Sequence, residues 1–171
     1  DESVKAFAYE NFGKAGKVVA DKRIADLGIR TVRFANGVKL NIKKTDFEPG
    51  VINFGMRVGS GLMTFPKDKP GLPLMQAITS TMDGLAAHSI DELQKINAGR
   101  SVSMGINPDE DAFTSSGATK PQDLDRQLKL LAASITAPGF RPETGAQWTN
   151  VVPIIINNLS PNVYALHEVA L

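Results

Sequence analysis

The sequence has no cysteine, and that single absence removes disulfides, thiolate metal sites and cysteine nucleophiles together. It leaves the redox compartment open. Histidine is almost as scarce, with His88 and His167 the only two. A catalytic zinc site takes three protein ligands, so without cysteine the remainder would be carboxylates brought in by the fold. His88, just before Ser89, reads as a polar loop residue. His167 and Glu168 are adjacent, would point about 100° apart on a helix, and could not share one metal. Net charge is also missing: 19 Lys and Arg face 18 Asp and Glu, so no overall field draws in nucleic acid or an anionic membrane. The local basic clusters, Lys22 with Arg23 and Lys39 with Lys43 and Lys44, have acidic residues beside them in sequence and read as solvated surface. Nor is there a long apolar run. VVPIII at 151–156, interrupted by Pro153, falls far short of the ~20 residues that cross a bilayer. No basic-then-apolar leader is present, and a chain that opens at Asp1 reads as a piece excised from something longer.

What is present is an ordinary folding composition. With 42% hydrophobic and 22% charged residues over 171 positions, the chain suits one domain, which at this size buries roughly 70% of the surface that its unfolded form exposes. Residues 1–30 hold Phe7, Tyr9 and Phe12 among glycines and lysines without a sustained period. They read as a linker or lead-in from a preceding domain that packs a few aromatics on a neighbour. At Thr31 the pattern becomes TVRFANGVKLNIKK, two alternating runs around Asn36-Gly37, a hairpin signal. A two-residue loop would set Phe34 opposite Lys39 and mix the faces. A three-residue loop at Ala35, Asn36 and Gly37 pairs Phe34 with Val38 and Val32 with Leu40, keeps one face apolar, and predicts left-handed backbone at Gly37. VINFGMRV follows as a third strand, with Ile52, Phe54, Met56 and Val58 on the buried side.

Helical spacing begins after Gly59-Ser60-Gly61. Leu74, Ile78 and Met82, with Met75 beside them, predict a first helix over 71–83. Ser89 with Glu92 is a capping box for a short second helix carrying Leu93 and Ile96 and stopped by Gly99. Val102, Met104 and Ile106 alternate as a strand turned by Asn107-Pro108 into a partner around Phe113. A third helix, starting at Thr119-Lys120-Pro121, shows Leu124, Leu128, Leu131 and Ile135 as its buried stripe. The expected architecture is α+β with two layers, a largely antiparallel sheet with helices packed on one face. No repeat is visible.

The remaining candidate motifs are weak. NPDED at 107–111 lacks the frame of a calcium loop and reads as a solvated turn. Gly59-Ser60-Gly61 lacks the Gly-Lys-Ser/Thr ending of a phosphate loop. Ser115-Ser116-Gly117 has no nucleophile-elbow spacing and no evident base. Trp148 reads as a packing residue. An unrelated α+β enzyme using Asp109 and Asp111 stays as an alternative class.

The ordered set RFANGVKLNIKKTD, INFGMRVGSG, a helix after a spacer, DELQKINAG and DLDRQLKLLAASITAPGFRPE resembles the insulinase or pitrilysin family of zinc metallopeptidases. The resemblance covers about residues 31–143, and FAYENFGKAGKVV looks like the linker entering the second half of large bacterial members. It implies an insulinase-like domain over residues 31–171, shorter than usual and incomplete at its C-terminus. Active members carry H-x-x-E-H on the first helix: its two His bind zinc, its Glu is the general base for the attacking water, and another Glu farther on completes the site. Aligning the glycine before that motif on Gly71 puts Leu74 and Ile78 at the His positions and Ala77 at the Glu position, and no His lies anywhere from Asp1 to Ala87. The implied role is a non-catalytic domain of a zinc peptidase, with no catalytic, cofactor or metal residue of its own. Zinc is then expected in the catalytic domain of the full protein, and the expected partners are the other domains or a catalytic subunit, and peptide substrate. A non-proteolytic scaffold or assembly subunit of the same fold is the alternative, and the periplasm is the compartment that the resemblance suggests.

Overall fold

A computed structural model describes residues 5–159. The chain forms two compact units, Asn11–Val51 and a larger unit built from Asp1–Glu10 with Ile52–Leu171.

The smaller unit is an antiparallel meander of β1 (Val18–Ile24), β2 (Ile29–Phe34) and β3 (Lys39–Lys43), in that order across the sheet. The β2–β3 hairpin adopts the three-residue register, with Val32 opposite Leu40 and Phe34 N–H donating to Val38 O at 2.9 Å. Gly37 closes the turn at φ +90°, a conformation costly to a residue with a Cβ. β1 lies in the stretch read as lead-in. It pairs with β2 from Ile24↔Ile29 to Val18↔Phe34, with an irregularity between Val18 and Ala20. Asp21, Lys22 and Arg23 put polar groups on both faces, so no alternation announces this strand. Cross-strand contacts hold it, including the Arg30–Asp21 ion pair at 2.6 Å.

In the larger unit β4 (Ile52–Val58) pairs along its whole length with β6 (Phe113–Thr119), and β5 (Asn107–Pro108) adds two residues to the other edge. Both sheets are antiparallel, and four helices accompany them among the described residues: α1 (Leu72–Met82), α2 (Ile90–Ile96), α3 (Leu124–Thr136) and α4 (Pro142–Leu159). The strand at Ile52 therefore belongs to a second sheet and does not extend the hairpin. At α2 the capping box forms in both directions, Glu92 N–H to Ser89 Oγ at 3.2 Å and Ser89 N–H to Glu92 Oε2 at 3.0 Å.

Two features differ from what the sequence pattern predicts. Residues 102–106 belong to no ladder strand; side chains satisfy part of their backbone instead. Gln127 bonds both the N–H and the C=O of Ser103 at 2.8 Å, and Ile106 O accepts from Gln76 and Ser80. This also explains why α3 turns a different face inward. Its buried residues are Gln127, Leu130, Leu131 and Ala133, whereas Leu128 and Ile135 of the expected stripe are exposed. An apolar-only count cannot see a polar anchor. Burying Leu130 and Leu131 contributes about 1.5–3 kcal/mol each.

The core of this unit gathers Phe7, Leu85, Leu93, Leu130 and Ala133. α4 was not anticipated, because its Val-Val-Pro-Ile-Ile-Ile run shows no helical period and places Pro153 inside the helix.

Candidate functional site

α1 begins after Gly71, with Pro73 in its first turn where a missing N–H costs nothing. Leu74, Ala77 and Ile78 are half-buried and not core. Ile78 and Met82 line a small crevice with Trp148 and Val151 of α4. Aliphatic side chains at 74, 77 and 78 have no donor atom to offer zinc, so these positions do not fit that ion.

A second row of α1 is polar. Gln76, Thr79 and Ser80, at helical spacing, and Asp83, which caps the helix, line a cleft of about 310 Å³ whose other walls include Val58, Ile106, Phe113, Ile135 and Phe140. Ser80 Oγ donates to Ile106 O at 2.8 Å, and Gln76 Nε2 to the same oxygen at 3.1 Å. Gln76 Oε1 and Asp83 Oδ1 are buried without a hydrogen-bond partner among the described residues. The strap 138–141 closes one end. Arg141 donates to Asp83 O and Leu85 O, both at 2.8 Å. Gly139 lies so close to α1 that a Cβ there would sit 2.2 Å from Asp83 O, and Phe140 stands 79% exposed at φ +46°. Such a cleft suits an aliphatic or aromatic group that carries an N–H donor.

His88 lies in the loop between α1 and α2, as its sequence context suggested, but its side chain is buried. It is 2% exposed, stacked on Phe7 with centroids 5.7 Å apart and met edge-on by Tyr9. Ala8 N–H donates to Nε2 at 2.9 Å, so that nitrogen is unprotonated and the ring neutral. Burial pushes its pKa down, against the opposing pull of Glu92. Glu92 Oε2 lies 3.8 Å from Nδ1, and its own pKa is lowered first by Lys5, which bonds it at 2.5 Å, and then by the Ser89 N–H. Tyr9 Oη accepts from Ala87 N–H at 2.8 Å, and Arg126 covers the Phe7 ring at 4.1 Å. The aromatics at positions 7 and 9 were the one sequence signal for this arrangement.

Elsewhere, Arg57 bonds Asp109 at 3.4 Å and also Asp111; Asn107 and Pro108 of NPDED belong to β5 and are not the expected turn, and the bend that follows them is ion-paired. Ser60 precedes a short 3-10 turn, and Ser115 and Ser116 lie within β6. His167 and Glu168 lie outside the described residues. Among the described residues no three His, Cys, Asp or Glu side chains come together as metal ligands, and no helix is long and apolar enough to cross a membrane.

No protein-family model and no curated sequence matches the chain. Solved structures do. One is the ferredoxin protease FusC, a mutant in complex with Arabidopsis ferredoxin, with a TM-score of 0.70 at 19% identity over 83% of this chain. This chain has the fold of a protease segment. Another is the periplasmic protease PqqL from Escherichia coli, with a TM-score of 0.68 at 14% identity over 95% of this chain. The chain spans 16% of the FusC chain and 19% of the PqqL chain.

Proposed function

We propose that this chain is a non-catalytic domain of a zinc-dependent metallopeptidase of the insulinase or pitrilysin type, which packs on the zinc-bearing half and helps enclose a peptide or protein substrate. The observation that carries the reading is a combination: the fold shared with segments of FusC and PqqL, on an α1 whose aligned positions are Leu74, Ala77 and Ile78. A helix with no ligand and no base at those positions contributes surface, not bond cleavage. The presence of ferredoxin in the FusC complex supports a protein as substrate, and the location of PqqL supports the periplasm.

The test is zinc content by mass spectrometry on the purified, untagged chain, with peptide cleavage assayed on the same sample. The expected result is neither zinc nor cleavage from the chain alone, and cleavage once the zinc-bearing half is added back. Zinc near one per chain with chelator-sensitive cleavage would overturn the reading. If the companion polypeptide has no H-x-x-E-H, the fold serves as a scaffold in place of a peptidase wall.

A further inference from the structure

The register of the small sheet sorts its charges in a way that the linear sequence conceals. Residues opposite one another in a sheet share a face. One face of β1–β3 therefore carries Val18, Phe34, Val32, Leu40 and Ile42, with Arg23 and Arg30 beside Asp21. Asp21 is bonded to Arg30, which lowers its pKa. The other face carries Arg33 opposite Lys39, Lys22 opposite Thr31, and Lys43 opposite Ile29. All of these cations are exposed. No strand residue on that face is acidic, and none of these cations forms an ion pair among the described residues. Within Asn11–Val51, Lys and Arg outnumber Asp and Glu by more than two to one, although the whole chain is nearly neutral. Placing Arg33 directly opposite Lys39 costs stability, and a bound anion would relieve that cost.

We propose that the face formed by Lys22, Arg33, Lys39 and Lys43 docks an acidic stretch of extended polypeptide. Cations occur in each of three successive cross-strand rows, Arg33 with Lys39, then Lys22, then Lys43. Rows on one face repeat every two residues, about 7 Å. Alternate side chains of an extended peptide repeat at the same distance, so Asp or Glu at every second position meets a cation in each row. The face carries no aromatic residue, only Ala20, Ile24, Ile29, Thr31 and Asn41 besides the cations. Single-stranded nucleic acid, which stacks its bases on aromatic platforms, finds no such platform here. The proposal rests on the substrate-enclosing reading and gives it a substrate class: polypeptides presenting alternating carboxylates.

The test is fluorescence anisotropy of the whole 171-residue chain with a labelled peptide of alternating Glu and Ser. The expected result is binding at low salt that weakens about tenfold or more when the salt is raised well above physiological levels, since exposed charges are screened. Binding should weaken at least as much on replacing Lys22, Arg33, Lys39 and Lys43 together by Gln, and a blocked peptide of equal charge should bind less tightly than the alternating one. Should the fourfold variant fail to fold, Lys39→Gln alone, with about threefold loss, carries the test. The proposal is overturned by no binding at low salt, by unchanged binding in a folded variant, or by a single-stranded oligonucleotide of equal charge binding more tightly than the peptide. If the peptide fails to bind while the chain still restores cleavage to the zinc-bearing half, this surface is wrong and the enclosing role stands.

Discussion

The two units are stabilised in different ways. In Asn11–Val51, Val32 is the only residue among the buried hydrophobics, and its sheet shows Val18, Val38, Leu40 and Ile42 partly to solvent. Ladder hydrogen bonds, a hairpin turn and the exposed Arg30–Asp21 ion pair define it. The larger unit instead encloses Leu85, Leu93, Leu130 and Ala133, and threads polar anchors such as Gln127 through that core. A three-stranded sheet with little apolar burial is marginal, so the smaller unit should respond to turn chemistry and charge, and the larger one to side-chain volume.

Truncating the core sharpens this contrast most. Leu130→Ala should destabilise the larger unit by about 3–5 kcal/mol, read as a lowered denaturation midpoint followed through Trp148 fluorescence. A loss under about 1 kcal/mol would mean that Leu130, at 2% exposure, is not core. Acid comes next. Burial holds the folded-state pKa of His88 below the ordinary 6.5, so above that pH the ring is neutral in both states and nothing is lost. As pH falls below about 6.5 the unfolded chain takes up the proton first, and stability declines until the folded-state pKa is reached. The loss is about 1.4 kcal/mol for each unit of separation. The measurement is the urea midpoint between pH 7.5 and 5, and His88→Gln should flatten the profile; an unchanged slope in that variant would show that other groups set it. The smallest effect belongs to the smaller unit. Gly37→Ala, forced to φ +90°, should cost roughly 1 kcal/mol. It should speed hydrogen exchange in β2 and β3 while leaving amides of α3 unchanged, and equal changes in both would erase the distinction between the units.

The sequence made some of this legible for clear reasons. Apolar residues on both sides of Asn36-Gly37 admit one register, and Ser89 with Glu92 leaves few alternatives to a helix start. β1 stayed hidden because both of its faces are polar. α4 was hidden by β-branched residues and Pro153, and the inward face of α3 by Gln127, whose burial depends on Ser103 across a distance that no local pattern spans. At the candidate site, the spacing of Leu74, Ile78 and Met82 located α1, but the row of Gln76, Thr79, Ser80 and Asp83 takes its meaning from Ile106 and the 138–141 strap, which face it from distant parts of the chain. The charge sorting on β1–β3 was illegible for a related reason: acidic neighbours in sequence, such as Asp21, point to the opposite face.

The segment at 101–106 has one more consequence. Thr119 Oγ1 donates to Ser101 O at 2.6 Å, Ser101 N–H donates to Asp123 Oδ2 at 3.0 Å, and Ser103 is occupied on both sides by Gln127. A stretch that could have been a sticky sheet margin thus has these backbone groups claimed by side chains of its own domain. An unrelated strand arriving there from another molecule would have to displace those bonds before it could add to the sheet, so this border resists the edge-to-edge association that leads to aggregates.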